Sequence, residues 1–271
     1  MPNFISVIEL MFRFISIIIS LVFLTLLLSG AGLLWIFWTY GKGLPDYQQL
    51  ANYEPPVVTR IHAGNGALLA EYASEKRLFV PVEAIPPRLI QAFISAEDKA
   101  FYSHFGVDLR ALLRAVVTNI VNYGTGRRPV GASTITQQVT KNFLLTNEVS
   151  IERKIKEAIL SLRMERAFTK DQILALYLNE IYLGRGSYGV AAAALKYFDK
   201  SLDQLNLPEM AYLAALPKAP NNYHPVNNRR AAIVRRNWVL KEMQQNGYIS
   251  EEEVTIARNA PLQTSNKIGF D

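Results

Sequence analysis

The chain has 271 residues, half of them apolar, which is enough for one or two domains with a substantial core. It contains no cysteine, which excludes disulfides and thiolate metal sites, and its three histidines show no metal-ligand spacing. The net charge of +6 predicts an anionic partner, but the sequence lacks zinc-finger, basic-zipper and RNA-recognition patterns, so no nucleic-acid partner is expected.

The N-terminal segment is apolar enough to cross a membrane. Residues 14–41 read FISIIISLVFLTLLLSGAGLLWIFWTYG, without a charge, and a span needs about 20 apolar residues. Three aromatic residues gather at its far end as in an interfacial belt, namely Trp35, Trp38 and Tyr40. A cleaved signal peptide is the alternative, but its apolar core of about 7–15 residues would be shorter. We predict an uncleaved anchor over residues 1–41, with the span at 14–40.

Three further regions follow the anchor. Residues 42–85 combine a linker with extended segments around an Asn65-Gly66 turn, which predicts a small β segment. Residues 86–262 show helical periodicity, which predicts a mainly α domain, and 263–271 begin a truncated or disordered tail. The predicted helices begin at Pro86-Pro87 and continue over 109–122, 133–146, 151–167, 170–182, 187–198, 208–216, 229–246 and 250–258. Ser250 and Glu253 predict a capping box in the last helix.

A carboxylate interrupts the apolar face of the first helix of this domain. Ile90, Phe93, Ile94 and Glu97 fall at i, i+3, i+4 and i+7, so Glu97 lies on the apolar stripe. Apolar surroundings raise the pKa of a carboxyl group, which suits acid–base chemistry. The alternative is an ordinary helix end at which Glu97 and Asp98 face water.

The next predicted helix, in DLRALLRAVVTNIVNYG, carries apolar residues at helical spacing over 109–122. The favoured interpretation is a core helix. The alternative is a helix lying in the membrane interface, flanked by Arg110 and Arg114.

The stretch GASTITQQVTKNFLL predicts a polar helix face with no acid. Ser133 is the predicted N-cap, and Thr134, Gln138 and Lys141 share one face at i, i+4 and i+7. Hydroxyl, amide and ammonium groups together suit sugar hydroxyls or phosphate oxygens. A solvated face is the alternative.

The stretch IERKIKEAILSLRMER places a second carboxylate beside cations. Arg153 and Lys154 precede Glu157 by four and three residues, which favours its ionised form. The alternative is an ordinary surface ion pair. Apolar side chains around one carboxylate and cations around the other would push the two pKa values apart. Acid–base chemistry on a sugar requires such a pair of carboxylates.

A glycine-rich stretch, LGRGSYG at 183–189, matches a dinucleotide-binding pattern. No strand precedes it and no βαβ unit surrounds it, so we predict a tight turn between helices instead.

Four motifs in order carry a resemblance to a known family. They are EDKAFYSHFG (97–106), GASTITQQVTKN (131–142), RKIKE (153–157) and KDQILALYLNEIYLG (170–184), with ALPKAPNNYHP (215–225) after them. The chain resembles the glycosyltransferase domain of class A penicillin-binding proteins, the family 51 peptidoglycan glycosyltransferases. The resemblance spans roughly 55–262 and the anchor.

The resemblance implies a lysozyme-like, mainly α fold in two lobes and an enzyme that polymerises lipid II into glycan strands with inversion. Glu97 matches the general base, and Glu157 the second carboxylate, which assists pyrophosphate departure directly or through a divalent cation, Mg²⁺ or Mn²⁺; no tightly bound cofactor is expected. The residues implied to bind sugar and phosphate groups are Ser133, Thr134, Gln138, Lys141, Asn142, Arg153 and Lys154. The residues implied to support the site are Asp98, Phe101, His104 and Asn179.

The implied location is the bacterial inner membrane, with the N-terminus inside and the catalytic domain on the outer face. The implied partners are lipid II, the growing lipid-linked strand, membrane lipids, cell-wall synthesis regulators and further copies of the chain. Class A proteins continue into a transpeptidase with a Ser-x-x-Lys motif, which this sequence lacks, so we expect a fragment of a longer protein. The alternatives are a monofunctional glycosyltransferase, a lytic glycan-cleaving enzyme and a non-catalytic scaffold.

Overall fold

The structure is a computed structural model that describes residues 4–46, 59–62, 68–72, 78–127, 129–145, 148 and 150–265. This part of the chain is mainly helical, which confirms the predicted fold class. Its α-helices are α1 (Phe4–Tyr40), α2 (Pro87–Glu97), α3 (Leu109–Val121), α4 (Ile135–Leu144), α5 (Ile151–Ala167), α6 (Lys170–Glu180), α7 (Val190–Phe198), α8 (Leu207–Ala215), α9 (Arg229–Gln245) and α10 (Glu251–Asn259).

The small β segment is an antiparallel pair of strands. Strand β1 (Thr59–His62) pairs with β2 (Leu68–Tyr72). The register places Thr59 opposite Tyr72 and shifts between Ile61 and His62. The predicted β segment is therefore confirmed, whereas the predicted Asn65-Gly66 turn lies outside the described residues.

The helix boundaries follow capping side chains. Helix α5 occupies the predicted range because Ser150 accepts a hydrogen bond from the Arg153 N–H. The predicted capping box of α10 is confirmed at Ser250 and Glu253. The predicted N-cap of α4 is wrong by one residue, because Thr134 rather than Ser133 forms a capping box with Gln137.

Helix α8 is the centre of the hydrophobic core. All residues from Met210 to Leu216 are buried, and both α2 and α9 pack against this helix. A second group, α4 with α5 and α6, adjoins them and shares the same core. The ring of Phe93 in α2 meets Tyr177 of α6 edge-on, with centroids 6.2 Å apart. The two groups of helices share one core and α2 contacts both, so the expected division into two lobes stays a prediction.

Helix α3 does not belong to this core. Only Ala115 of α3 is buried, whereas Leu113 is 67% exposed and Ile120 is 70% exposed. The favoured core interpretation of this segment was therefore wrong. Apolar periodicity indicates that a face avoids water, but it does not identify the medium that covers the face.

Helix α1 has the length and composition of a membrane span. Residues Met11–Tyr40 have a mean hydropathy of 2.5, and none of the most apolar window is buried inside the protein. Thirty residues rise about 45 Å, which is enough for a bilayer core of about 30 Å with tilt.

The glycine-rich stretch is a tight turn between α6 and α7, as predicted. Gly184, Gly186 and Gly189 all have positive φ. A Cβ at Gly189 would lie 2.4 Å from the carbonyl oxygen of Asn179, so this position requires glycine for close approach.

Candidate active site

The carboxylate of Glu97 lies at the C-terminal end of α2. Phe93 and Ile94 of the preceding turn are buried, so the same face carries Glu97 to the edge of the core. Burial raises the pKa of Glu97 above its ordinary value. The side-chain amide of Gln138 donates to Glu97 Oε2 at 2.8 Å and partly offsets the rise, because it stabilises the ionised form. The predicted direction of this pKa shift is confirmed.

Two cations act on Glu97 from other parts of the chain. Arg235 of α9 and Lys218, which follows α8, both lower the pKa of Glu97 and so oppose the effect of burial. The Arg235 guanidinium carbon lies 3.8 Å from the centre of the Trp238 ring, which fixes its position. Its Nε is buried and has no hydrogen-bond partner among the described residues. Burial and positive charge thus compete at this carboxylate.

The neighbouring Asp98 anchors the surroundings of Glu97. Its Oδ2 accepts from the Ile135 N–H at the start of α4 at 2.9 Å and lies 2.9 Å from His104 Nε2. Since His104 Nδ1 accepts from the Gly106 N–H at 3.1 Å, the proton of the neutral ring lies on Nε2 and is donated to Asp98. Asp98 is buried and its acceptors are occupied, so it holds α2 against α4.

Gly106 brings this loop against α5. Its φ is +92°, and a Cβ there would lie 2.6 Å from the Ser161 carbonyl oxygen. Its own carbonyl accepts from the Thr134 hydroxyl at 2.6 Å. The loop therefore depends on a residue without a side chain at this position.

Phe101 and Lys170 complete the support of the loop. The fully buried Phe101 ring meets the His104 ring edge-on, with centroids 6.2 Å apart. Lys170 Nζ lies 4.6 Å from the centre of the Phe101 ring and donates to the His104 carbonyl at 2.7 Å. Phe101, His104 and Lys170 thus hold one another in the loop that follows Glu97 and Asp98.

Glu157 of α5 is the centre of a cation cluster. Its Oε2 lies 2.7 Å from Arg153 Nη1, and its Oε1 lies 2.5 Å from Lys154 Nζ. The Glu157 side chain is 1% exposed, whereas that of Lys154 is 48% exposed. Because the buried Glu157 carboxylate bonds both cations, it fixes their positions. Removing either cation would leave a buried charge without compensation. We call these three residues the α5 cluster.

Helix α4 joins Glu97 to the α5 cluster. Gln138 contacts Glu97, as described, and Ser133 Oγ accepts from Lys154 Nζ at 2.8 Å. A buried pair of hydroxyls, Thr140 and Ser161, lies 3.2 Å apart and links the middle of α4 to α5. The two carboxylates are therefore both connected to this part of the chain, Glu97 through Gln138 and Glu157 through Lys154 and Ser133.

The other predicted site residues occupy different environments. Lys141 is half-buried and Asn142 is exposed, both near the C-terminal end of α4. Thr134 is buried, with its hydroxyl in the capping box and bound to Gly106. Asn179 ties the segment before α2 to α6, since its side chain bonds both the N–H and the carbonyl of Val80 at 2.8 Å.

Comparison with known families decides the assignment. A family model described as Transglycosylase matches residues 65–244, which contain every candidate site residue described above. The chain belongs to the transglycosylase family.

Similar proteins include penicillin-binding protein 1A of Rickettsia felis, 54% identical over 89% of this chain, and that of Escherichia coli K12, 42% identical over 88%. The chain spans 31% and 28% of those relatives. A crystal structure of penicillin-binding protein 1A from Haemophilus influenzae has 30% identity and a TM-score of 0.45, over 79% of this chain and 22% of that chain.

The donor set of this transglycosylase domain does not fit a divalent cation near Glu157. Both oxygens of Glu157 face cations, and the described residues contain no group of three or more His, Asp or Glu that could hold a metal ion. The suggested Mg²⁺ or Mn²⁺ stays a prediction without a ligand set from this chain, and no step below is routed through it.

Sequence patterns missed three residues around the base of this transglycosylase domain. Lys218 lies in the quoted stretch ALPKAPNNYHP, but Arg235 lies in none of the motifs. The Tyr177 hydroxyl is buried without a hydrogen-bond partner in the described structure. Burial, then the charges of Glu97 and Asp98, raise the Tyr177 pKa well above its ordinary value. The missed signal was a cation on a largely buried helix face, since Arg235 lies at helical spacing between the buried residues Ala232 and Val239 of α9.

Proposed function

We propose that the chain is the membrane-anchored glycosyltransferase part of a bifunctional class A penicillin-binding protein and polymerises lipid II into glycan strands. The observation that carries the proposal is the arrangement around α4. A carboxylate with a raised pKa is bonded to Gln138 of this helix, and a cation cluster is bonded to Ser133, just before the helix begins. A general base and a site for a leaving diphosphate are the two requirements of this transfer.

Glu97 acts as the general base. It takes the proton of the 4-hydroxyl of lipid II while that oxygen attacks the anomeric carbon of the growing strand. The bond from this carbon to the polyprenyl pyrophosphate breaks, and the pyrophosphate leaves with the bonding electrons. A raised pKa brings the base closer to the operating pH, which improves proton transfer. Attack opposite the leaving group inverts the anomeric configuration.

The exposed cation of the α5 cluster stabilises the leaving pyrophosphate. Lys154 is available to phosphate oxygens, and Arg153 lies beside it. We assign Glu157 to a positioning role, because its buried carboxylate already binds both cations. Preorganised charge of this kind needs no rearrangement as negative charge develops.

The polar face of α4 binds the sugars between these two groups. Ser133, Gln138, Lys141 and Asn142 supply the hydroxyl, amide and ammonium groups of this face. The resemblance implied that Thr134 binds substrate. We assign it a structural role instead, because its buried hydroxyl caps α4 and bonds the Gly106 carbonyl.

The enzyme works at the outer face of the bacterial inner membrane, with the N-terminus inside. Helix α1 supports anchoring by its length and composition. The exposed apolar face of α3 supports a second contact, in the membrane interface, where a lipid-linked substrate presents its head group. Regulators of cell-wall synthesis and further copies of the chain are proposed partners without a described contact.

The test is polymerisation of labelled lipid II by the full chain in detergent, for wild type and Glu97→Gln. We expect wild type to form polymer and Glu97→Gln to lose about 10²-fold or more in rate. Glu152→Gln is the matched control, because Glu152 is an exposed acid on α5 that pairs only at the surface with Lys156.

The products distinguish the alternatives. Cleavage of preformed glycan without polymerisation would support a lytic enzyme. Folded wild-type protein that does neither would support a scaffold. Equal polymerisation by wild type and Glu97→Gln would contradict the assignment of the base.

A further inference from the structure

The C-terminal end of α1 is bound by an arginine of the helical domain. Arg163 of α5 donates from Nη2 to the carbonyl oxygen of Gly41 at 3.1 Å. The Gly41 N–H donates to the Phe37 carbonyl at 2.9 Å and closes the last turn of α1. The last carbonyls of a helix lack partners within it, and a cation there is favoured by the helix dipole. Since the last turn of α1 has no basic residue, Arg163 supplies that charge from α5.

Glycine at position 41 permits this close contact. A Cβ there would lie 2.2 Å from the Phe37 carbonyl oxygen and 3.1 Å from Arg163 Nη2. On the same end of α1, Lys42 Nζ lies 3.6 Å from the centre of the Trp38 ring. Tryptophan at the end of a span lies at the level of the lipid head groups. The Arg163 contact is therefore made at the membrane surface.

Helix α5 carries this contact and the α5 cluster on one rigid element. Arg163 follows Arg153, the first residue of the cluster, by ten residues, a rise of about 15 Å along the helix. Whatever the inclination of α5, the backbone of the cluster cannot lie further than about that distance above or below the backbone of Arg163.

The covalent connection does not set this height. The chain leaves α1 at Gly41, and Val80 is held to the domain by Asn179, which binds both of its backbone groups. A path of this length could extend over more than about 100 Å. The Arg163–Gly41 hydrogen bond is a noncovalent link between the end of α1 and α5, which also pack against each other.

We propose that Arg163 is a positioning residue that fixes the α5 cluster at the level of the lipid phosphates. The inference rests on the proposed function, because only a lipid-linked pyrophosphate needs the cluster at that height. Arg163 touches neither substrate nor the reacting atoms, and it acts through α5.

The test uses the full chain in phosphatidylglycerol vesicles. Since the chain has no cysteine, Glu152→Cys accepts a single fluorophore on exposed α5, and energy transfer to head-group-labelled lipid reports the height of α5. The variants are Arg163→Ala, Arg163→Lys, and Gly41→Ala, which perturbs the contact from the other side. Arg166→Ala is the matched control, an exposed arginine one turn further along the same helix.

We expect Arg163→Ala and Gly41→Ala to lower the efficiency of energy transfer and to broaden its distribution. We also expect both variants to slow polymerisation of lipid II in vesicles by about tenfold, as for a lost charged hydrogen bond. Arg163→Lys retains part of the energy transfer and part of the rate, and Arg166→Ala changes neither quantity. With a short-chain lipid II analogue in detergent, all variants keep the wild-type rate within about twofold, because height has no meaning there.

Unchanged energy transfer in Arg163→Ala would overturn the proposal. So would an equal loss of rate in vesicles and detergent, because it would indicate damage to α5 itself. If the wild type makes no polymer in either medium, the proposed function fails, and the energy-transfer measurement still decides whether Arg163 sets the height of α5.

Discussion

At the scale of single residues, the reactivity of Glu97 depends on opposing effects. Burial raises its pKa, whereas the Gln138 amide, Arg235 and Lys218 lower it. None of these three partners lies on α2, so the groups that lower the pKa of the base come from three other parts of the chain. Because a general base works best with a pKa near the operating pH, these opposing effects bear directly on its efficiency.

Replacing Gln138 with alanine should shift the pH dependence of the reaction. The amide hydrogen bond favours ionised Glu97, so its loss raises the pKa further above the ordinary value. Since the base works when deprotonated, the acidic limb of kcat/KM should move to higher pH, and activity should recover as pH rises. The measurement is the pH profile of kcat/KM with lipid II.

Gln245→Ala, at the exposed end of α9, is the control and should leave the profile unchanged. A Gln138→Ala profile with reduced height and an unmoved acidic limb would show that Gln138 binds substrate without tuning the base.

The sequence predicted Glu97 and missed most of its partners for a physical reason. Helical periodicity acts within one element, so it places Glu97 beside Phe93 and Ile94. Gln138 and Arg235 reach the base only through packing of α4 and α9. The motif match gave Gln138 a role toward substrate, and the structure adds its bond to the base.

At the scale of elements, close packing of the Gly106 loop on α5 fixes the site. Prediction from local signals worked well where caps define an element, as at Ser150 for α5. It failed by one residue at α4, where Ser133 and Thr134 are both good N-caps. Tertiary contacts determine which of the two caps the helix. The Thr134 hydroxyl binds the Gly106 carbonyl, whereas Ser133 binds Lys154.

Gly106→Ala should destabilise the domain more than Gly124→Ala. Both glycines have positive φ, so alanine costs roughly 1–2 kcal/mol of backbone strain at either position. Only at Gly106 would the new Cβ meet the α5 backbone, whereas nothing lies within 4 Å of it at Gly124. Overpacking should add about 1–3 kcal/mol to the loss of unfolding free energy.

The measurement is denaturant unfolding followed by the fluorescence of Trp238 in α9. Equal losses of unfolding free energy for the two variants would contradict close packing of Gly106 against Ser161.

At the scale of the whole molecule, the surface combines a positive net charge with two apolar exposures, α1 and the outer face of α3. The anchor was predictable because its uncharged run is longer than a buried core helix or the apolar part of a signal peptide needs. The surroundings of α3 were not predictable, because the same periodicity suits a protein core and a lipid surface.

A fluorophore on α3 should report lipid contact. Val117→Cys, in this chain without cysteine, gives one label on the apolar face, which is 60% exposed at that residue. In vesicles its emission should shift to the blue, because the label enters the interface. A label at Glu252→Cys, on exposed α10, should emit as in water. Water-like emission from both positions would show that α3 does not contact lipid.

The N-terminal end of α4 has a consequence for how phosphate is chosen. The first turn of a helix is a ready anion site, and α4 begins beside the proposed path of a diphosphate. Here the Ile135 N–H is already bound by Asp98, and the Gln137 N–H by Thr134. The protein thus fills its own backbone anion site with an internal carboxylate. Discrimination among phosphate-bearing lipids then falls to side chains such as Lys154, whose flexible stem adapts to different phosphate geometries more readily than a rigid helix end.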